Sequence, residues 1–332
     1  MKIKNITFFL TDRCTASCEV CCFQCMPRKT FVQAPEIIRD CMKQAAELGT
    51  VKQFSFTGGE PLMYPDLVLE LGSYGFREFG IPFSLVSNGF WGADAEKARV
   101  LAQRLKDAGM KEIRLSADIW HQRYVPAASV RNALRAIMET GLRPSLSIME
   151  TKDRRVIRET VEALRPEIYF CDDIIYYPTV LPDCVAARED SPVAAGDILQ
   201  TFPLADARCW GLDSLGLFWD GYFYPCCSQL SFEIPRLRLG RFPETSVAEA
   251  VDRLNRDPVL EMMGRRDLPW FIARAKEKGM CFRENYSLSC EICRAILNNP
   301  EISEEIAAEA KEETQRIRVA SFLGLPQEEA ES

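Results

Sequence analysis

Short apolar runs alternate with amphipathic stretches through about the first 180 residues, and this alternation is the strongest constraint on the fold. Repeated strand–helix units favour a parallel sheet. Eight units would close a full barrel, so six indicate an α/β chain with a partial (β/α)6 TIM-like barrel. The six predicted strands are Ile3 to Leu10, Gln53 to Thr57, Pro82 to Ser87, Glu112 to Ser116, Ser145 to Met149 and Ile174 to Tyr177.

Charge and hydropathy argue against two classes of partner. A net charge of -7 does not favour nucleic-acid binding, which needs a basic domain with clustered Lys and Arg. No apolar stretch approaches the roughly 20 residues that span a bilayer. The apolar start of the chain passes into Thr11 and Asp12 without a signal-peptide cleavage site, so we interpret it as a strand. We therefore expect a cytoplasmic protein that binds neither nucleic acid nor a membrane.

Cysteine is the residue type that points most directly to chemistry. The chain has 14 cysteines and no export signal, and structural disulfides are rare in a reducing compartment. Metal binding or redox chemistry is therefore the expected role. Three groups stand out in the sequence: Cys14, Cys18, Cys21, Cys22 and Cys25; then Cys209, Cys226 and Cys227; then Cys281, Cys290 and Cys293. The three isolated cysteines, Cys41, Cys171 and Cys184, are expected to be small buried side chains.

The first cysteine group has the spacing Cys14-x3-Cys18-x2-Cys21. Three thiolates on a 4Fe-4S cluster leave one iron without a protein ligand, where a substrate or cofactor can bind. The set Cys18, Cys22 and Cys25 has the same spacing, but Cys14 follows closely after the first strand, so we prefer the earlier set. A structural zinc site is the alternative, although zinc would require a fourth ligand.

Polar residues also follow the other predicted strands, where (β/α) barrels place their reactive groups. After the second strand, Gly58 and Gly59 would allow close backbone approach to a ligand, and Glu60 could pair with an ammonium group. Ser87 and Asn88 end the third strand, and Ser116 ends the fourth.

The cysteine loop followed by Gly-Gly-Glu resembles the radical S-adenosylmethionine (SAM) superfamily. The resemblance implies that the open iron binds the amino and carboxylate groups of SAM. It also implies that SAM is cleaved to a 5′-deoxyadenosyl radical. In that family the Gly-Gly-Glu element meets the methionyl amine, and polar residues at later strand ends contact the ribose and carboxylate. The predicted cofactor-binding residues are therefore Gly58, Gly59, Glu60, Ser87, Asn88 and Ser116.

A composition shift after Leu181 predicts a second domain that begins near Asp206. Asp220-Gly221 predicts a hairpin between two apolar runs, 214–219 and 222–227. The spacing from Cys209 to Cys226 resembles the auxiliary-cluster domains called SPASM and twitch. That resemblance implies a second 4Fe-4S cluster on Cys209, Cys226, Cys290 and Cys293. Cys281 would replace one of these ligands or pack, and we favour packing. The domains expected are a radical SAM partial barrel (1–205), a smaller iron-sulfur domain (206–300) and a C-terminal helix with an acidic tail (301–332).

Cys227 is the candidate catalytic thiol. Side chains alternate between the two faces of an extended strand, so if Cys226 faces a cluster, Cys227 faces away from it. Its sulfur would stay near an electron source while pointing elsewhere, where it could donate a hydrogen atom to a carbon radical. The alternative is that Cys227 is a buried cysteine without a catalytic role. His121, the single histidine of the chain, is expected to be structural.

Five segments spread along the chain (21–25, 55–60, 86–92, 224–228 and 289–293) resemble the peptide epimerases that mature epipeptides. The resemblance implies that a residue of a ribosomally made precursor peptide loses its α-hydrogen to the radical. Cys227 would then return a hydrogen atom from the opposite face and give a D-residue. It also implies an electron donor such as a flavodoxin or ferredoxin.

Two further hypotheses remain open from the sequence. One is a radical SAM enzyme that forms a thioether or carbon–carbon crosslink in a peptide, or oxidises an alcohol. The other is a zinc-binding or electron-transfer protein that is not an enzyme. Because the chain begins almost at the first strand, we expect peptide recognition by the barrel mouth, the C-terminal domain or another protein rather than by an N-terminal leader-binding module.

Overall fold

The computed structural model describes residues 1–19, 21–149, 154–171, 173–177, 202–209, 212–226, 228–286 and 288–323. Its strands are β1 Asn5–Thr11, β2 Gln53–Gly58, β3 Phe83–Ser87, β4 Met110–Ser116, β5 Ser145–Met149, β6 Asp173–Tyr177, β7 Phe202–Pro203, β8 Ser214–Leu217, β9 Phe223–Tyr224 and β10 Asn285–Tyr286. Its α-helices are α1 Pro35–Glu47, α2 Pro65–Phe79, α3 Ala95–Asp107, α4 Ile119–Gln122, α5 Ala127–Glu139, α6 Arg154–Ala163, α7 Val247–Arg256, α8 Pro258–Glu277, α9 Ser289–Leu297 and α10 Pro300–Leu323.

Eight strands form the main sheet, in the order β6-β5-β4-β3-β2-β1-β8-β9. The strands from β1 to β6 pair in parallel, which confirms the six predicted strand–helix units. Strand β1 lies inside the sheet, and six of its seven residues are buried. A strand buried on both faces needs a continuous apolar run, which is the pattern that the sequence shows here.

Local sequence signals explain where several helices begin and end. Helix α1 starts with Pro35 and buries Ile38, Met42 and Ala45 on one face. Helix α3 is capped by Asp94, whose side chain accepts a hydrogen bond from the backbone N–H of Lys97 at 3.0 Å. Because strands β1 to β6 are parallel, the strand-to-helix loops at their carboxyl ends lie at one edge of the sheet.

The predicted hairpin is present, but it belongs to the main sheet. Strand β8 pairs with β9 in antiparallel fashion and with β1 in parallel, so the barrel sheet continues into the segment that follows residue 206. Phe9 of β1 stacks on Phe218, with ring centroids 3.7 Å apart, and this contact ties the hairpin to the core. The sequence did not reveal this pairing because it joins segments about 200 residues apart. The division into domains therefore stays a prediction.

The C-terminal part of the described chain is helical. Helix α8 packs against α10, and α9 lies between them in sequence and contacts both. Helix α10 begins at Pro300, as predicted for the C-terminal helix, while the acidic tail after Leu323 lies outside the described residues. Among the helices described, none is long and apolar enough to cross a membrane.

Candidate functional site

The cysteine loop leaves the sheet at the end of β1 and is held by backbone and side-chain hydrogen bonds. The Thr11 hydroxyl donates to the carbonyl of Phe31 at 2.6 Å, and the carboxylate of Asp12 accepts from the N–H of Phe31 at 3.0 Å. The N–H of Cys14 donates to the carbonyl of Met26 at 3.3 Å. These bonds fix both ends of the loop, so its thiols do not depend on a metal for their approximate placement.

The structure brings Cys14, Cys18 and Cys21 together at this loop. Burial raises the pKa of Cys14 to about 12, and burial together with neighbouring negative charge raises the pKa of Cys18 well above its ordinary value. The pKa of Cys21 is lowered to about 6 because the thiol of Cys25 donates a hydrogen bond to it. Three neighbouring thiolates repel one another, so a cationic group among them is needed to hold all three deprotonated. The donor set therefore fits an iron-sulfur cluster.

The two remaining thiols of the loop behave differently. Cys25 is 2% exposed, and its backbone N–H donates to the Sγ of Cys21 at 3.4 Å. Cys22 is exposed to solvent. The alternative ligand set, Cys18 with Cys22 and Cys25, would need the exposed thiol of Cys22 and the buried thiol of Cys25 to face one cluster. The geometry therefore supports the set that begins at Cys14.

Gly58 and Gly59 lie against the backbone that leads into the cysteine loop. A Cβ atom on Gly59 would stand 2.0 Å from the carbonyl oxygen of Arg13, and one on Gly58 would stand 2.3 Å from that of Thr11. The N–H groups of Gly59 and Glu60 donate to these same two carbonyls at 2.6 and 2.8 Å. Glycine is required here because strand β1 approaches closely, and contact with the cofactor stays a prediction.

Glu60 is completely buried and joins the loops that follow β2 and β3. Its carboxylate accepts from the N–H of Leu62 at 3.0 Å, the hydroxyl of Ser87 at 3.0 Å and the N–H of Asn88 at 2.7 Å. Burial raises its pKa to about 7, although these hydrogen bonds act in the opposite direction. The carboxylate thus has protein partners already, and it orients the end of β3.

Asn88 connects the end of β3 to the cysteine loop. Its Nδ2 lies 3.0 Å from the Oγ1 of Thr15 and 3.6 Å from the Sγ of Cys14. Ser87 is also buried, and its hydroxyl accepts from the indole N–H of Trp91 at 3.1 Å. The structure therefore places both residues beside the predicted cluster, but with hydrogen bonds to protein groups.

The end of β4 carries a half-buried Ser116 and then an ion pair. Asp118 caps the short helix α4 and accepts from the Nδ1 of His121 at 2.9 Å. Burial alone would raise the pKa of Asp118 and lower that of His121. Their mutual attraction reverses both directions, so the pKa of Asp118 is lowered and that of His121 is raised. Because His121 also interacts electrostatically with Cys21, it lies close to the predicted cluster site.

The second cysteine group also comes together, although its members are up to 84 residues apart in sequence. Burial raises the pKa of Cys293 well above its ordinary value, and the charges of Cys290, Cys226 and Cys209 raise it further. These are the four predicted ligands of the auxiliary cluster. Cys281 is exposed, so the prediction that it packs is wrong. Sequence spacing alone could not show that the chain turns Cys281 outward.

No three His, Cys, Asp or Glu side chains within the described ranges are placed to hold one metal ion. A 4Fe-4S cube binds its thiolates at separate corners and does not need them to converge on one point. The two groups therefore suit two clusters in kind and number of donors, with four thiols in the group that includes Cys293 and three in the group that includes Cys18.

A second hydrophobic cluster joins the two cysteine groups. Trp120 of helix α4 and Met149 at the end of β5 are buried in one cluster with Cys18. Leu230 is buried in the same cluster, and Cys290 packs against it. The segment that follows β9 therefore lies against the cysteine loop. Cys227 itself lies outside the described residues, so its predicted orientation stays a prediction.

Asp267 is a site residue that the sequence did not reveal. It interrupts helix α8 with φ 61° and ψ −178°, a backbone conformation that is costly for any residue with a side chain. Its Oδ1 accepts from the N–H of Cys209 at 2.5 Å and from the N–H of Leu268 at 2.6 Å. The strained residue thus positions one predicted ligand of the auxiliary cluster.

We expect Asp267→Ala to lower the free energy of unfolding by about 2–4 kcal/mol, because two N–H groups lose their acceptor and the strain remains. Asp267→Gly loses the same acceptor but relieves the strain, so its loss should be about 1–3 kcal/mol smaller. Asp267→Asn keeps an acceptor oxygen and is the matched control. Denaturant unfolding of the three variants checks this order, and equal losses for Ala and Gly would show that position 267 is unstrained.

The sequence profile of the radical SAM superfamily matches residues 8–176, just over half of the chain. The chain belongs to the radical SAM superfamily. It is therefore an enzyme, and membership implies a 4Fe-4S cluster and S-adenosylmethionine. This excludes the hypothesis of a zinc-binding or electron-transfer protein without enzymatic activity.

Individual proteins are also similar to this chain, one of them over nearly its whole length. The chain is similar to the putative peptide biosynthesis protein YydG of Bacillus subtilis, with 27% identity over 90% of this chain and 93% of that protein. It is also similar to the PqqA peptide cyclase of Streptomyces rochei, with 34% identity over 42% of this chain and 38% of the other. The structure of SuiB from Streptococcus suis bound to S-adenosylmethionine has a TM-score of 0.53 at 16% identity. It covers 80% of this chain and 68% of that one, which supports the partial-barrel fold.

Proposed function

We propose that Cys14, Cys18 and Cys21 hold the 4Fe-4S cluster, and that Cys209, Cys226, Cys290 and Cys293 hold a second, auxiliary one. A cluster held at the first site, with one iron free of protein ligands, would supply the electron for cleavage of SAM into methionine and a 5′-deoxyadenosyl radical able to remove a hydrogen atom. The hydrogen bonds of the cysteine loop would fix the three thiols. Gly58, Gly59, Glu60, Ser87, Asn88 and Ser116 are proposed to shape the SAM side of the site.

We further propose that the substrate is a ribosomally made precursor peptide and that the reaction converts an L-residue into a D-residue. The observation that carries this proposal is the packing of Leu230 and Cys290 against Trp120 and Cys18. It brings Leu230, three residues after position 227, close to the place where a substrate radical would form. The similarity to YydG, named a putative peptide biosynthesis protein, extends over nearly the whole chain and supports a peptide substrate.

Cys227 is the proposed hydrogen donor. Removal of an α-hydrogen leaves a planar carbon radical, and the S–H bond of Cys227 then breaks to deliver a hydrogen atom from the opposite face. The sulfur radical that remains must gain one electron and one proton to become a thiol again. Its neighbour Cys226 is a proposed ligand of the auxiliary cluster, which provides an electron source within a short distance. The peptide keeps its composition and changes only its configuration.

The domain division fits this scheme and remains our proposal: residues 1–205 for the SAM chemistry, 206–300 for the auxiliary cluster and 301–332 for a helical terminus. We also propose that a flavodoxin or ferredoxin supplies electrons to the first cluster.

Peptide crosslinking is the second candidate function, and the similarity to a PqqA peptide cyclase favours it. The two reactions differ in product mass. Epimerisation in deuterated water with an exchangeable thiol raises the peptide mass by about one unit per residue, whereas crosslink formation lowers it by about two.

The test is anaerobic. The protein with reconstituted clusters is given dithionite, SAM and a candidate peptide in deuterated water, and the product is analysed by mass spectrometry and chiral amino-acid analysis. We expect about eight irons per chain, 5′-deoxyadenosine and a deuterated D-residue. A mass loss of about two units would favour the crosslinking enzyme, and an unmodified peptide with intact SAM cleavage would overturn that choice of substrate.

A further inference from the structure

The indole N–H of Trp120 is a buried donor that has no partner among the residues that the structure describes. Trp120 is 3% exposed, and its Nε1 makes no hydrogen bond with any protein group in the described part of the chain. A buried donor that gives up its bond to water without gaining another is costly, and native proteins rarely leave one in this state. A buried donor in this state beside a proposed cofactor site raises the question of which group supplies its acceptor.

The position of Trp120 is well defined. Its backbone N–H donates to the Oδ1 of Asp118 at 3.1 Å, and the same oxygen is bonded to His121. The ring packs with Cys18, Met149 and Leu230, and the other two cysteines of the proposed ligand set lie against the same cluster. The Asp118 cap therefore holds the backbone of Trp120, and apolar neighbours pack against its ring.

Trp91 provides the contrast. It follows β3 as Trp120 follows β4, and it is also buried, but its indole N–H donates to the hydroxyl of Ser87 at 3.1 Å. Among the residues described, this loop region thus provides an acceptor for the indole of Trp91 and not for that of Trp120. A phenylalanine at position 120 could fill the same apolar space. Packing alone therefore does not explain why a side chain with a buried N–H group stands here.

We propose that Trp120 is a positioning residue whose indole N–H donates a hydrogen bond to an electron-rich acceptor of the group bound at Cys14, Cys18 and Cys21. The acceptor is either a sulfur atom of the cluster or an oxygen atom of S-adenosylmethionine. This inference rests on the proposed cluster site but not on the identity of the peptide. A hydrogen bond to cluster sulfur stabilises the reduced form, whereas one to SAM strengthens its binding.

The experiment compares wild type, Trp120→Phe and a variant with 3-benzothienylalanine at position 120, which keeps the shape of tryptophan but has sulfur in place of the N–H. Each reconstituted protein is assayed for iron content, for the midpoint potential of the first cluster without SAM, and for SAM affinity. Trp270→Phe, a partly buried tryptophan of helix α8, is the control and should leave both quantities unchanged.

If the acceptor is a sulfur atom of the cluster, we expect a more negative midpoint potential in both Trp120 variants. Their iron content should stay unchanged, and the EPR spectrum of the first cluster should change. A SAM acceptor predicts an affinity about 2- to 10-fold weaker at unchanged potential. If the benzothienylalanine variant matches wild type in both quantities, the proposal is overturned. Absence of iron in the wild-type protein would instead overturn the cluster site itself.

Discussion

Simultaneous replacement of Cys14, Cys18 and Cys21 by alanine is expected to abolish SAM cleavage, with a loss of at least about 1,000-fold. The reason is that each thiol contributes one of three ligands, and no other group in the loop is placed to replace all three. Iron content should fall from about eight to about four per chain, because the proposed auxiliary ligands are untouched. Iron analysis and chromatography of 5′-deoxyadenosine measure the two effects.

Cys22→Ala is the matched control for this prediction, because its thiol belongs to the same loop but is exposed. It should keep both the iron content and the cleavage activity of wild type. The alternative ligand set makes the opposite demand: Cys22→Ala would lose the cluster, while Cys14→Ala would keep it. A full complement of iron in the triple variant would contradict the proposed site altogether.

Cys227→Ala is expected to separate SAM cleavage and hydrogen abstraction from the later return of a hydrogen atom to the peptide. SAM cleavage should stay within about 2-fold of wild type, since the first cluster and the substrate are unchanged, while formation of the D-residue should fall at least about 100-fold. Cys227→Ser should behave in the same way, because an O–H bond is too strong to give its hydrogen atom to a carbon radical. Chiral amino-acid analysis and 5′-deoxyadenosine assays give the two rates.

Cys281→Ala is the control for loss of a C-terminal thiol, because Cys281 is exposed. It should keep wild-type activity. A Cys227→Ala enzyme that still forms the D-residue at the wild-type rate would remove Cys227 from the mechanism. If the same variant lost iron instead, Cys227 would be a ligand rather than a donor.

Much of the site could be predicted because its residues are local in sequence. Cys14, Cys18 and Cys21 lie within eight residues and follow a strand whose apolar run is unmistakable. The structure confirms all six predicted strands of the barrel. The polar residues after β2, β3 and β4 were found because parallel strands bring their carboxyl ends to one edge of the sheet.

The contacts of those polar residues could not be predicted. Glu60 is predicted to pair with an ammonium group, and the structure shows in addition that its buried carboxylate accepts from three protein donors. The glycines before it are predicted to let a ligand approach, and the structure shows in addition that they make room for the backbone of residues 11–13. A sequence shows which chemical group is present, while its partners depend on which loops the sheet brings into contact.

The sequence by itself determined the superfamily, the barrel and the cysteines to test, since these depend on local spacing and on periodic burial of apolar residues. Only the tertiary structure decided that β8 extends the barrel sheet, that Cys281 faces solvent, that Asp267 bonds to the backbone of Cys209, and that Trp120 shares a buried cluster with Cys18. The physical reason is distance along the chain. Hydrogen-bond partners and burial arise between segments separated by tens to hundreds of residues, and no local pattern records them.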